Sequence, residues 1–351
     1  MTRADGDADN RSGYYDRIAE HRLAPLWEVL HTLLSPAPTT RAVPHLWRYR
    51  DVRPLVLEAG TLITAKEAER RVLVLENPAL EGMSQAVDTL YAGLQLILPG
   101  EVAPAHRHTP SALRFIIEGS GAYTAVEGEK TYMEEGDFII TPSWGWHDHG
   151  HEGEAPVIWL DGLDIPIVRF LAATFAESYP HDRYPTNSPP GHTLARYGAN
   201  MKPVDDRYDQ PTSPVFSYPY ARAREALEQL RTGTGPDPWH GLKMEYLNPL
   251  TGGPAMPTMS TFLQLLPKGF ASAPYRATEH AVYSVVEGRG RTLVGEGDDA
   301  VELEWEPRDH FVVPGWYRHV HRAAEDAVLY SFSDRVVQQK LGLWREDRAA
   351  T

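Results

Sequence analysis

The apolar and polar positions change rhythm several times along the chain. Over residues 14–34, Ile18, Leu23, Leu26, Trp27, Val29, Leu30, Leu33 and Leu34 recur near a helical period, and Pro36 and Pro38 end the pattern, which predicts a helix. Residues 1–12, rich in Asp, Asn and Gly, carry too little apolar surface to order themselves and are predicted to be a disordered tail. Residues 52–76 hold two short apolar runs, around Leu55 and at Val72-Leu73-Val74-Leu75, which predict strands flanking that helix. From 90 to 163, short apolar runs alternate with Gly or Pro turns, the pattern of an all-β barrel. Residues 165–175 predict a connecting strand or helix, 178–215 a long irregular linker rich in Pro, Asn, Asp and Tyr, and 221–230 a short helix. A second strand-rich block covers 259–332, and 335–343 predicts a helix or strand packed on a neighbouring element.

The second block repeats the first. Gly269-Phe270-Ala271-Ser272-Ala273-Pro274-Tyr275-Arg276-Ala277 aligns without gaps on the segment from Gly100 to His108. Glu287-Gly288-Arg289-Gly290 then falls on Glu118-Gly119-Ser120-Gly121, and Asp309 to Pro314, followed by His319, falls on Asp137 to Pro142 and His147. The offset is 169 residues at the first motif (Gly100 to Gly269) and 172 at the second (Asp137 to Asp309), a normal loop difference. Turn glycines, the glutamate and the proline recur in both copies, as turn chemistry requires. The imidazoles do not: His106 becomes Tyr275, His108 becomes Ala277, and His147 alone among the three has a counterpart, His319.

His106 and His108 are two apart, so on a strand they share a face, and His147 follows on a later strand after a Pro turn. Three neutral nitrogen ligands suit a divalent transition metal and leave positions open for chemistry. Metal is therefore expected in the first barrel only, since a lone His at a barrel mouth is more often structural. No carboxylate follows His108 closely: Ala112 and Leu113 stand where one would be, and Glu118 reads as a turn residue because Glu287 repeats it. Such a centre keeps its full dipositive charge and attracts a chelating dianion. Arg114 has the strand parity of His108 and, if buried, needs an anion such as a bidentate carboxylate; a surface arginine with a screened ion pair is the alternative. Of Arg70 and Arg71, one should face in and the other out. His149 keeps the ligand face and is an acid–base candidate, His151 reads as a loop residue, and Asp161 either orients His149 or an arginine or caps a strand.

Bulk properties narrow the partners. The chain has 351 residues, 42% of them hydrophobic, enough for two domains with a substantial core. Its net charge of −14 argues against general nucleic-acid binding, although local arginines still permit an anionic substrate. There is no cysteine, hence no disulfide and no thiolate site. No apolar stretch approaches a membrane span of ~18 residues, and residues 1–13 lack a signal-peptide core. A soluble, cytoplasmic protein is expected.

The paired motifs resemble the two conserved motifs of the cupin superfamily, whose fold is a small double-sheet barrel. Beyond that, Pro104-Ala105-His106-Arg107-His108, Ser111 to Gly119, Thr141-Pro142-Ser143-Trp144, Trp146-His147-Asp148-His149-Gly150 and Trp159-Leu160-Asp161-Gly162-Leu163-Asp164 resemble the gentisate 1,2-dioxygenase family. Glu69-Arg70-Arg71-Val72-Leu73, Asn248-Pro249, Thr251-Gly252-Gly253 and Pro257-Thr258-Met259 extend the similarity to most of the chain, about 25–337. The resemblance implies an all-β bicupin: two double-stranded β-helix (jelly-roll) barrels with an N-terminal helical arm. The boundaries expected are a tail at 1–12, the arm at 13–85, cupin 1 at 86–175, a linker at 176–255, cupin 2 with a degenerate metal site at 256–337, and a C-terminal tail at 338–351.

The family comprises ring-cleaving enzymes for gentisate, salicylates and 1-hydroxy-2-naphthoate. The resemblance implies Fe(II) held by His106, His108 and His147, although the same ligands bind Mn. It implies a small aromatic hydroxy-acid substrate that chelates iron through carboxylate and ortho hydroxyl, O2 as co-substrate, and a homotetramer. Arg70, Arg114, His149 and Asp161 match positions lining the family's substrate site, and Tyr91 and Gly93 match its pocket wall. One departure is Pro110, where the family often has glutamine; a changed preference at the ring's far substituent, such as for 5-nitrosalicylate, is the consequence to test. A cupin isomerase and a ligand-sensing bicupin are the readings outside oxygen chemistry.

Overall fold

Helical periodicity near the N-terminus is broken into two pieces. The computed structural model describes residues 4–348, in two units, one up to Thr39 and one from Thr40 onward. In the first unit, α1 (Ala4–Glu20) and α2 (Leu26–Leu33) are separated by a turn in which Arg22 takes a positive φ of 58° and Pro25 precedes the second helix. Trp27 Nε1 donates to the Tyr15 hydroxyl at 2.9 Å, tying the helices together. The single helix expected over 14–34 is thus two. The disorder expected over 1–12 is corrected for 4–12, which lie in α1; residues 1–3 fall outside the described residues.

In the second unit the arm supplies β1 (His45–Trp47), α3 (Tyr49–Leu62) and β2 (Val72–Val74). The run around Leu55, expected as a strand, is helical: its buried positions, Tyr49 and Val56, lie two turns apart, with Pro54 between them obscuring the period. Barrel 1 follows as β3 (Tyr91–Ile97), β4 (Val102–His108), β5 (Ala112–Glu118), β6 (Ala122–Val126), β7 (Glu129–Tyr132), β8 (Phe138–Thr141), β9 (His147–His151) and β10 (Val157–Leu163). The connection contains α4 (Ile165–Phe170), β11 (Ala176–Ser178), α5 (His192–Tyr197), β12 (Ser217–Tyr218), α6 (Tyr220–Gly233) and β13 (Leu242–Glu245). Barrel 2 is β14 (Ser260–Leu266), β15 (Tyr275–Ala277), β16 (Ala281–Glu287), β17 (Gly290–Val294), β18 (Val301–Trp305), β19 (His310–Val313), β20 (His319–Ala323) and β21 (Ala327–Ser333), followed by α7 (Arg335–Lys340) and β22 (Glu346–Arg348).

Each barrel is two antiparallel sheets, ordered β12-β8-β5-β10-β3-β2 with β11-β4-β9-β6-β7, and β1-β19-β16-β21-β14-β13 with β18-β17-β20-β15-β22. The linear boundaries expected from the sequence are crossed in both directions. Strand β1 of the arm pairs with β19 of barrel 2, and β12 of the linker pairs with β8 of barrel 1. The repeat explains this exchange. Tyr49 at the start of α3 donates its N–H to Asp309 (2.7 Å) and its hydroxyl to Glu118 (2.8 Å), and Arg53 donates to Glu118 at 2.7 Å. Tyr220 at the start of α6 donates its N–H to Asp137 (2.9 Å) and its hydroxyl to Glu287, which also accepts from Arg224 at 3.1 Å. Helices α3 and α6 are therefore equivalent struts, each tying one barrel's aspartate to the other's glutamate.

The six-stranded sheets are buried on both faces because they pack against each other as well as against their own partners. Leu94, Leu96, Leu113, Phe115, Ile158 and Leu160 face the shared core, where Phe115 stacks on Tyr330 at 4.0 Å. Gly162 is needed at this contact: a Cβ there would lie 2.7 Å from the Phe332 ring. Residues of the opposite parity, such as Ile97, Ile116 and Trp159, form a separate cluster inside barrel 1. Gln95, Arg114 and Asp161 have that same inward parity, and the strand pattern thereby delivers polar groups to the barrel interior.

Candidate metal centre and substrate cavity

Strands β4 and β9 are paired, with His106 opposite His147. One ring nitrogen from each of His106, His108 and His147 lies within 4.8 Å of the others, the only such group among the described residues. Hydrogen bonding sets the tautomers. His108 Nδ1 lies 2.7 Å from the Pro110 carbonyl and His147 Nδ1 lies 3.0 Å from the Gly145 carbonyl; a carbonyl only accepts, so both Nδ1 atoms carry the proton. The Nε2 lone pairs are thereby left to point elsewhere. His147 Nε2 is buried with no hydrogen-bond partner, a costly state that a metal ion would relieve. Burial, assisted by neighbouring cations, pushes His106 down to about 2 and His108 to about 4, and holds His147 well below the ordinary histidine value, so all three are neutral ligands at physiological pH. These residues fit a divalent transition metal.

Beside the triad is a cavity of about 200 Å³ whose lining includes Arg70, Tyr91, Gln95, Arg114 and Asp161. That is below the ~300–1,000 Å³ of drug-sized sites and suits a single ring. Arg70 takes the inward position of its pair: Nη2 is 3.2 Å from His106 Nε2 and Nη1 donates to the Pro104 carbonyl at 3.0 Å. Arg71 turns away, to the Ile63 carbonyl and Glu101. Arg114, 3% exposed, donates Nη1 to Thr141 Oγ1 at 2.6 Å, while its Nε lies 3.6 Å from Asp161 Oδ1 without a hydrogen bond. Burial lowers both guanidinium pKa values, Arg70 to about 9 with further repulsion from Arg114. Two crowded, desolvated guanidiniums against one carboxylate make a site for an anion.

Asp161 accepts from Trp159 Nε1 at 3.0 Å and is raised to about 6 by burial, against the pull of Arg114 and Arg70. It is ionised above that value and neutral below it. As pH falls through about 6, Arg114 loses its charge partner, and kcat/KM for an anionic substrate is expected to decline. Asp161→Asn is expected to be slow at every pH and to lack that acid limb, which a pH–rate profile checks.

Three sequence candidates occupy other places than expected. His149 does not line the cavity; it is fully buried behind Arg114, whose Nη2 lies 3.3 Å from His149 Nε2. Arginine only donates, so Nε2 accepts and Nδ1–H donates to Thr124 Oγ1 at 3.0 Å. Burial keeps this imidazole neutral. In this arrangement His149 stands between Arg114 and Thr124. Pro110 is likewise outside the cavity and acts through the carbonyl that orients His108. Gly93 leaves room: a Cβ would sit 2.5 Å from Val72 Cγ1 and 2.9 Å from the Tyr91 hydroxyl, both on lining residues. Sequence reasoning passed over Gln95, Thr124 and Thr141. Gln95 had a signal, since Gln264 repeats it at the same offset of 169.

In barrel 2, Tyr275 lies opposite His319, and His321 Nδ1 meets Thr292 Oγ1 at 2.8 Å just as His149 meets Thr124. Lys243 stands opposite Gln264 as Val72 stands opposite Gln95. It lines, with Tyr275, His319 and His321, a cavity of only about 20 Å³. With two of three imidazoles lost and an ammonium beside the third, no dication is favoured. We expect one tightly held metal ion per chain by elemental analysis, unchanged in His319→Ala.

Comparison with known proteins agrees with this geometry. The cupin domain family matches residues 93–163. The chain is 55% identical over 338 residues to gentisate 1,2-dioxygenase 1 of Aquipseudomonas alcaligenes, covering 96% of each protein. It is 36% identical to the 5-aminosalicylate 1,2-dioxygenase of a Comamonas species, over 100% of this chain and 93% of that one. Among solved structures, salicylate 1,2-dioxygenase of Pseudoaminobacter salicylatoxidans with gentisate superposes with a TM-score of 0.91 at 30% identity, over 97% of this chain and 94% of that one. Among the described residues, no helix is long and apolar enough to cross a membrane.

Proposed function

The chain belongs to the gentisate 1,2-dioxygenase family of bicupin ring-cleaving enzymes, and from that premise we propose that it uses Fe(II) and O2 to open gentisate between its carboxyl- and hydroxyl-bearing carbons, giving maleylpyruvate. The observation that carries this reading is the three-imidazole cluster opening onto a cavity lined by the buried Arg114 guanidinium and the half-buried Arg70 guanidinium. His106, His108 and His147 would hold the iron, which supplies the one-electron chemistry and the Lewis acidity that bring an aromatic chelate and O2 together. Arg70 and Arg114 receive the substrate carboxylate. Asp161, Thr141 and His149 hold Arg114 from three sides, and His149, fully buried and outside the cavity lining, positions rather than transfers protons. Support for gentisate over a 5-substituted salicylate comes from the 55% identical relative and from Pro110, which lies off the cavity and gives no ground for a changed far substituent. The homotetramer is supported by the apolar residues that α2 leaves exposed, Trp27 and Leu33 among them. A cytoplasmic location is in keeping with a chain that contains no cysteine and therefore draws nothing from an oxidising compartment.

The test is oxygen uptake by anaerobically purified, Fe(II)-loaded protein with gentisate, salicylate, 5-nitrosalicylate and 1-hydroxy-2-naphthoate. Gentisate is expected to give the highest kcat/KM. A higher value for a 5-substituted salicylate would reassign the substrate, and no uptake with any compound would turn attention to an isomerase.

A further inference from the structure

The outer face of barrel 2 holds a cleft that the reaction above does not use. Its volume is about 690 Å³, and five arginines line it: Arg48, Arg50, Arg289, Arg291 and Arg322. Two glutamates, Glu304 and Glu306, line it as well, which leaves the lining net cationic in a chain whose overall charge is −14. Neutralisation of these arginines is poor. Among the described residues neither Arg48 nor Arg322 has a carboxylate within 4 Å; Arg48 donates only to the Glu304 carbonyl, at 3.2 Å. Arg50 lies 3.7 Å from Asp51 and 3.9 Å from Glu306, and Arg289 lies 3.8 Å from Glu306 and 3.9 Å from Glu325, all long pairs at arginine side chains about two-thirds exposed, where such pairs stabilise little. Arg291 pairs with Glu302, which is not part of the lining.

The sheet register adds an independent observation. Arg291 on β17 lies directly opposite Arg322 on β20. Like charges in that position destabilise a ladder. Barrel 1 shows what the same place looks like when no charge is needed. There Tyr123 on β6 lies opposite Gly150 on β9. The Tyr123 ring folds over the glycine, so that a Cβ on Gly150 would fall 2.3 Å from its hydroxyl, and Lys130 covers the ring at 4.2 Å while pairing with Glu152. One copy of the repeat is closed and neutralised; the other is open and cationic.

We propose that this cleft binds a small polyanion bearing adjacent oxyanion groups, of the di- or triphosphate class. Guanidiniums present forked donors that match phosphate oxygens in pairs. The cleft volume falls within the ~300–1,000 Å³ of small-molecule sites. Long nucleic acid is disfavoured by the acidic remainder of the surface. The site lies on the outer face of barrel 2 and is independent of the metal centre in barrel 1, so its failure leaves the dioxygenase reading intact.

The test is calorimetric titration of the full-length, metal-loaded protein with inorganic tripolyphosphate, pyrophosphate, citrate and sulfate at matched ionic strength. Tripolyphosphate is expected to bind most tightly. The Arg291→Glu/Arg322→Glu variant is expected to weaken it by ~10-fold or more, because charge-assisted contacts become repulsions. Lys202→Glu/Arg207→Glu changes the net charge equally on exposed residues outside the cleft and is expected to leave binding within about 2-fold, as long-range fields are screened at physiological salt. Thermal melts establish that both variants fold; should the first not fold, Arg48→Ala, which removes a half-buried donor from the rim, takes its place in the same comparison. No binding of tripolyphosphate by the wild-type protein at millimolar concentration overturns the proposal. So does an equal loss in the control variant, a preference for citrate, or loss of the native oligomeric state in the cleft variant, which would make the cleft a subunit contact.

Discussion

His147→Ala is expected to abolish turnover and to lower metal affinity by more than the ~10–100-fold that loss of an outer partner of a ligand costs. The reason lies in the hydrogen bonds rather than in the count of imidazoles. His147 is 1% exposed, its Nδ1 proton is committed to the Gly145 carbonyl, and its Nε2 is buried and unpartnered. No water-facing rearrangement supplies a substitute, and the two remaining rings come from a single strand. Metal content after anaerobic loading and dialysis, measured with oxygen uptake, checks the prediction. Thermal stability without metal should not rise, because loss of the unsatisfied Nε2 acceptor is offset by loss of the Nδ1–H bond to the buried Gly145 carbonyl and of the ring's packing. Retention of a full complement of metal by His147→Ala would show that the ion sits elsewhere.

Arg114→Ala carries the second large effect, a fall in kcat/KM of about 10²–10³-fold with metal content unchanged. Breaking a buried, paired charge commonly costs ~3–5 kcal/mol, part of which here falls on substrate rather than on the fold. Arg114 is held at three points: Thr141 on one end, His149 on the other, and Asp161 beside Nε. That network fixes the fork, so Arg114→Lys, which keeps the charge but not the geometry, should recover only a small part of the loss. Thr124→Val tests the chain of positioning behind it. The substitution removes the acceptor that pins the His149 tautomer, and KM should rise more than kcat falls. An Arg114→Ala enzyme with wild-type kcat/KM would mean that Arg70 alone receives the substrate.

The metal centre was legible in the sequence because two imidazoles two apart on a strand must share a face, and a third after the Pro142 turn falls on the neighbouring strand. Arg114 was legible by the same parity. The arm was not. Tyr49-Arg50-Asp51-Val52-Arg53 and Tyr220-Ala221-Arg222-Ala223-Arg224 share a Tyr and an Arg four apart, but they lie outside the two strand-rich blocks. The meaning of these pairs depends on Glu118 and Glu287, which become visible as anchors only once the barrels are placed side by side. The fate of His149 was also hidden. Strand parity sends it inward, but whether it reaches the cavity depends on the length of Arg114, which lies between them and claims its lone pair. Pro110 looked like a lost side chain; its contribution is a carbonyl, which any residue there supplies, and spacing alone carries no trace of it.

The central claim is that this chain inserts both atoms of O2 into an aromatic acid at the His106–His108–His147 centre. Its most direct test is single-turnover reaction of the Fe(II)-loaded protein with gentisate under labelled O2, with the product analysed by mass spectrometry. The account predicts a ring-opened acid carrying both labelled oxygens. Product with one label or none, or recovery of intact gentisate from iron-loaded protein, would contradict it.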